Sequence, residues 1–143
     1  MKPFSLDTVL NYRLQLEKVA LNRLFAAEKK RAEALHALQQ QQQSYDNLLN
    51  ELTRRRSQGM DVGEMIRYEE RIILEKKELE LLQTALADQE KKVLRERDNV
   101  IQKSKERKVM EKLKVKQDAA WKRHLNKKEA ALLDEIAVIF HER

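Results

Sequence analysis

Ser57-Gln58-Gly59-Met60-Asp61-Val62-Gly63 is the stretch of this 143-residue chain that reads as a turn, and it decides the fold. Both glycines of the chain lie in it. Gly59 can supply the left-handed backbone that ends a helix. Asp61 can cap the next helix, with Glu64 three residues on as its capping-box counterpart and Met60 and Met65 placed as a hydrophobic staple. Gly63 then falls in the first turn of that helix. A continuous helix through the segment is the alternative. The only proline, Pro3, is far away, so little else in the chain stops a helix.

Toward the N-terminus, the spacing predicts a helix over residues 5–56. Ser5 is its expected cap, Asp7 places negative charge in the first turn, and Phe4 and Val9 stand at staple positions. A heptad follows. One set of sites (10, 17, 24, 31, 38, 45, 52) reads Leu, Glu, Leu, Arg, Leu, Tyr, Leu. The other set (14, 21, 28, 35, 42, 49) reads Leu, Leu, Glu, Leu, Gln, Leu. Together these make a coiled-coil seam with polar interruptions at Glu17, Glu28, Arg31 and Gln42, which either fix register or face a binding partner.

Toward the C-terminus, a second helix is expected over 62–140. Residues 65, 72, 79, 86, 93 and 100 are Met, Ile, Leu, Leu, Val and Val, a strict seven-residue repeat. The pattern then fails at Arg107 and Lys114, and resumes at Leu125, Leu132 and Ile139 shifted by four, which predicts a stutter between residues 100 and 125. The fold class is therefore all-α: a long antiparallel two-helix coiled-coil hairpin forming a single domain, with turn 57–63 and a second helix longer than the first. At 1.5 Å per residue the helices would run roughly 75–80 Å and roughly 115–120 Å. Residues 116–143 would overhang, carrying Trp121, Leu125, Leu132, Leu133, Ile136, Ile139 and Phe140 as an exposed apolar stripe, the usual mark of a binding surface.

Charge narrows the function. Net charge is +6, but residues 101–128 hold eleven Lys and Arg against three acids, a local +8. Such a stretch could bind phosphate, yet it lacks interleaved aromatics beyond Trp121 and any recognisable module, so a nucleic-acid-binding coiled coil ranks below a protein-binding one and no specific nucleic acid is expected as a partner. There is no cysteine, which removes thiol chemistry. His36, His124 and His141 are too far apart to form a helix-borne ligand pair, and no phosphate loop or nucleophile elbow occurs, so no enzyme activity, metal or cofactor is expected. No apolar run approaches the roughly 20 residues of a membrane span and no signal sequence is evident, which favours a soluble cytoplasmic protein.

Several segments resemble the FliJ family. Phe4-Ser-Leu-Asp-Thr-Val-Leu10-Asn-Tyr-Arg13-Leu-Gln-Leu-Glu17-Lys-Val-Ala20 is similar to the family's opening. Tyr45-Asp-Asn-Leu-Leu-Asn-Glu-Leu52 resembles its stretch before the turn, and Glu111-Lys-Leu113-Lys its second-helix block. Lys128-Glu-Ala-Ala-Leu-Leu-Asp134-Glu135-Ile-Ala137 resembles its closing motif. The runs Gln39–Gln43 and Arg54–Arg56 match no family motif. The resemblance implies a cytoplasmic stalk of the flagellar type III export apparatus, located at the cytoplasmic face of the inner membrane through its partners. Those partners would be a hexameric FliI-like ATPase, an FlhA-like export gate and export chaperones. The equivalent stalk of a virulence injectisome needs the same rod and is the alternative.

Candidate contacts follow. Arg13, Glu17, Asp134 and Glu135 match the terminal motifs and would meet the ATPase ring, with Trp121, Leu125, Leu132 and Ile136 from the apolar stripe. For the charged four the competing reading is a solvated face; for Trp121, which continues the earlier heptad count, it is seam packing. Leu38, Tyr45 and Tyr68 would face the export gate, with the two tyrosines near one another close to the turn. Tyr45 also reads as an ordinary seam residue.

Overall fold

The structure, a computed structural model, describes residues 6–142. Two α-helices account for nearly all of it: α1 (Asp7–Gln58, 52 residues) and α2 (Val62–Glu142, 81 residues). They pack against one another as an antiparallel hairpin, and no described residue is in a strand. The first helix runs two residues past the expected 56 and the second two past 140. The proposed Ser5 cap and the Phe4 half of the staple lie outside the described residues.

The turn is only Gly59–Asp61. Gly59 has φ 93°, and its N–H reaches the Arg56 carbonyl at 3.3 Å, so the left-handed residue closes α1. Asp61 Oδ1 accepts the Glu64 N–H at 2.7 Å, which is the N-cap bond. The capping box is completed on one side only. The Glu64 carboxylate turns instead to Arg55 Nη2 at 3.0 Å and ties the end of α1 to the start of α2.

Contacts divide the chain into two units, residues 21–99 and residues 1–20 with 100–143. In the first, Arg55–Glu64, Glu51–Tyr68 and Arg23–Glu96 face each other across the helices. Each pair of residue numbers adds to 119, which fixes an antiparallel register. Buried residues here are Ala27, Leu48, Leu52, Leu79 and Val93. This register puts Ala27 within one residue of level with Val93, a small side chain beside a branched one, and Leu48 within one residue of level with Ile72, two large ones.

That register corrects one half of the sequence seam. The sites 10, 17, 24, 38, 45 and 52 do turn inward, and Arg31 of that set is exposed. The companion set is 13, 20, 27, 34, 41, 48 and 55, not 14, 21, 28, 35, 42 and 49. Leu14 is exposed and Leu21, Leu35 and Leu49 only half-buried. The reason is spatial. Alanines at 20, 27 and 34 let the helix axes approach closely, and the leucines one position on cover the flanks of a seam too narrow for them. On α2 the expected sites 65, 72, 79, 86, 93 and 100 all face inward.

In the other unit, α1 residues 7–20 lie along α2 from residue 100 onward. The stutter expected between residues 100 and 125 does not appear as far as Trp121. Residues 103, 107, 110, 114, 117 and 121 stay half-buried in the same heptad phase, with Lys103, Arg107 and Lys114 among them. The apolar residues leave the seam while the geometry holds, because ion pairs take over. Beyond Trp121 every described residue, 122–142, is exposed.

Candidate functional site

The ionic seam forms the base of the candidate site. Arg107 Nε donates to Glu17 Oε2 at 2.8 Å and its Nη1 to Glu111 Oε1 at 2.7 Å. Side-chain exposure of Arg107 and Glu17 is 19% and 17%, low enough that the charge pair is partly desolvated. Both acceptors hold the guanidinium charged, the Glu17 hydrogen bond foremost, and raise its pKa above the ordinary arginine value. Arg13 Nη1 donates to Glu106 Oε2 at 2.9 Å. The Glu106 carboxyl lies below its usual range, held there first by the Gln102 side-chain hydrogen bond and then by the charges of Lys103 and Arg13, against a desolvation that pushes it up. Lys114 Nζ meets Asp7 at 2.7 Å, and that bond raises the ammonium pKa.

Arg13 and Glu17 are therefore neither a free docking pair nor a solvated face. Each is committed to α2. Their counterparts Glu106 and Arg107 are seam residues that heptad reading missed, because both sit where the apolar pattern had lapsed. A signal existed: reflecting the chain about the turn, midway between residues 59 and 60, brings 13 to 106.

The basic stretch divides by face. Lys103, Arg107 and Lys114 turn toward α1. Lys105, Lys108, Lys112, Lys116, Arg123 and Lys127 are exposed, and none belongs to an ion pair found among the described residues. At about 100° per residue they share one side of α2, opposite the seam. A hollow of about 380 Å³ among Lys108, Glu111, Lys112, Val115 and Lys116 is lined by this one helix and is a surface notch rather than an enclosed site.

The second candidate surface is the end of α2. Leu125, Leu132, Leu133, Ile136, Ile139 and Phe140 are 40% to 69% exposed and fall in an arc about 120° wide. Asp134 lies on the opposite side and Glu135 along one edge of the arc. Trp121 is half-buried, with its ring 5.6 Å from that of His124. Trp121, Leu125, Leu132 and Ile136 thus share a segment with Asp134 and Glu135, whereas Arg13 and Glu17 sit in the ionic seam.

The third group, in residues 21–99, is corrected in one respect. Tyr45 and Tyr68 are not neighbours. Tyr68 donates to Glu51 Oε1 at 2.8 Å, whereas Tyr45 lies a heptad further from the turn, about 10 Å along the axis. Leu38 and Tyr45 are half-buried seam residues. The Tyr68 hydroxyl, bound to Glu51, has its pKa raised. The two unplaced runs also acquire roles. Gln41 turns inward to Glu75, while Gln42 and Gln43 bond Asp46 and Asn47 one turn on. Arg55 grips Glu64 and Arg56 reaches Met65 Sδ, so the arginine run staples the turn.

A family model described as flagellar FliJ protein matches residues 1–143, the whole chain. The chain belongs to the FliJ family. The comparisons with curated proteins and with solved structures returned no match. Membership in FliJ makes this a stalk component of the flagellar export apparatus, a family with a structural role in export. Among the described residues of this FliJ chain no helix is long and apolar enough to cross a membrane.

Proposed function

We propose that the chain is the shaft of the export ATPase: the end of α2 enters the pore of a FliI-like hexamer, promotes its assembly and turnover, and couples it to an FlhA-like export gate. The observation that carries this reading is the exposed apolar arc at 125–140 on a helix 29 residues longer than its companion. A coiled coil buries its apolar stripe, so one left open is complementary to a surface outside the chain. The exposed cations Lys105, Lys108, Lys112 and Lys116 extend the same reading, because they would face acidic groups lining such a pore. Arg13 and Glu17 then act indirectly, by holding the base of the shaft closed, while Trp121, Leu125, Leu132, Asp134, Glu135 and Ile136 make contact.

Leu38, Tyr45 and Tyr68 are the gate-facing residues in this reading. Tyr68 is best placed, since Leu38 and Tyr45 are engaged in the seam. Handling of empty export chaperones, and a position at the cytoplasmic face of the inner membrane, belong to the same proposal and rest on the family.

The test is to titrate the chain into its cognate ATPase and follow hexamer formation and ATP turnover. Both are expected to rise. A chain ending at residue 117 keeps the ionic seam and is expected to stay helical and lose the effect. No stimulation by the full chain, or full stimulation by the short one, overturns the reading.

A further inference from the structure

Past Trp121 the charge of α2 changes sign along its length. Residues 122–129 carry Lys122, Arg123, Lys127 and Lys128 against Glu129 alone, whereas 130–142 carry Asp134, Glu135 and Glu142 and no Lys or Arg. All are exposed. Lys128, Glu135 and Glu142 are seven residues apart and form a line along one edge of the apolar arc, so the sign changes along the edge of the only wide apolar surface on this segment.

One of these acids, Glu142, also stands in the last turn of its own helix. The C-terminal turns carry the negative end of the backbone dipole and favour cations, yet His141 is the only basic residue in the last turn. Something outside the helix that brings positive charge to this end would relieve it.

We propose that, away from the ATPase ring, two copies of the chain pair through residues 122–142 in antiparallel orientation. A second copy supplies both things the surface lacks. Its apolar arc covers Leu125, Leu132, Ile136 and Ile139, and its basic half lies beside the acidic half of the first. Lys128 of one copy comes alongside Glu135 or Glu142 of the other, so the partner's lysines bring positive charge to the acidic end of each helix. Parallel pairing would set Lys128 against Lys128 and Glu135 against Glu135, which is unfavourable at a coiled-coil edge. The segment is about 30 Å long, or three heptads, enough for a reversible contact.

The pairing covers the residues assigned above to the ring, so ring and second copy compete for one surface. This consequence rests on the shaft reading; the pairing itself does not.

Sedimentation equilibrium of the full chain tests it, with helical content followed by circular dichroism. The chain is expected to associate reversibly at micromolar concentrations. Two variants make the segment single-signed in the net charge of its two halves, Lys127→Glu with Lys128→Glu, and Asp134→Lys with Glu135→Lys. Each is expected to weaken self-association about tenfold or more. Combining all four changes reverses the net sign of each half. That variant is expected to associate with itself as the wild type does and not to mix with it, because antiparallel mixed dimers set like charges together. A monomeric wild type at about 100 µM, single-signed variants that still associate, or mixed dimers of swap and wild type would overturn the proposal. Stimulation of the ATPase is read separately. A monomer that stimulates removes the pairing and leaves the shaft; a dimer with no stimulation on dilution does the reverse.

Discussion

Arg107 on α2 binds Glu17 on α1 through its Nε at 2.8 Å, joining residues ninety positions apart in sequence. The pair stands where the apolar heptad of α2 has ended, and it keeps the helices in register there. Replacing Arg107 with Met leaves Glu17 half-buried without its cation, which is more costly than losing the pair outright. Amide hydrogen exchange at residues 7–20 and 100–117 is expected to accelerate markedly, with little change around the buried Leu48, Leu52 and Leu79. The reciprocal swap Glu17→Arg with Arg107→Glu is expected to recover much of the protection, whereas either change alone does not.

The same seam predicts a two-sided pH dependence. Glu106 titrates below its reference value of 4.5 when folded, so its contribution is present above pH 4.5 and is lost as pH falls through the lower folded value. Lys114 titrates above its reference value of 10.5 when folded, so its contribution is present below pH 10.5 and is lost as pH rises through the higher folded value. Thermal melts should be insensitive to these two groups between those limits. Glu106→Gln should flatten the acid limb and Lys114→Met the alkaline one. An unchanged limb in either variant would show that the ion pair contributes nothing to stability.

The two glycines should respond oppositely to alanine. Gly59 has φ 93° with nothing within 4 Å of the position a Cβ would take, so the cost of Gly59→Ala is backbone strain alone, about 1 kcal/mol. Gly63 is helical, and an added Cβ would meet Asp61 Oδ1 at 3.4 Å, an ordinary contact. Gly63→Ala should stabilise by about 0.5–1 kcal/mol. Urea melts of the two variants decide it.

Much of this was legible in the sequence, and the part that was not has a common cause. Gly59, Asp61 and Glu64 announced the turn through backbone chemistry, which acts locally. The α2 seam was legible because Met65 through Val100 repeat without a rival set. On α1 a leucine-rich set (14, 21, 35, 49) lay one residue from an alanine-rich one (20, 27, 34), and the larger side chains suggested the wrong one. Which set faces inward depends on how closely the second helix approaches, and Ala20 and Ala27 settle that only once the register is known. The ionic seam was hidden for the same reason. Arg13, Glu17, Glu106 and Arg107 are unremarkable charges until the fold sets them opposite one another.

Seam width gives a further test. Ala27 is 2% exposed, within one residue of level with the 3%-exposed Val93. Ala27→Leu forces a larger side chain into a buried part of the seam and should cost about 1–3 kcal/mol. Leu52, 4% exposed near the turn, leaves a gap when shortened to alanine and should cost about 2–4 kcal/mol. Ala26→Leu, on an exposed neighbour, should be close to neutral. If Ala26→Leu destabilised and Ala27→Leu did not, the register assigned to α1 would be wrong.

Trp121 provides the readout for the candidate docking end. It is the only tryptophan, it is half-buried beside His124, and every described residue after it is exposed. Entry of this segment into an ATPase pore would remove water from the exposed part of the indole. Its emission should therefore shift to shorter wavelength and become less accessible to iodide as ring is added. Leu132→Lys places a charge in the apolar arc eleven residues away and leaves the indole untouched, so it should abolish the shift by preventing entry. Trp121→Phe should silence the signal while retaining most of the stimulation, since an aromatic ring still fills the position. An emission spectrum unmoved by saturating ring, with stimulation intact, would place the contact elsewhere on the chain.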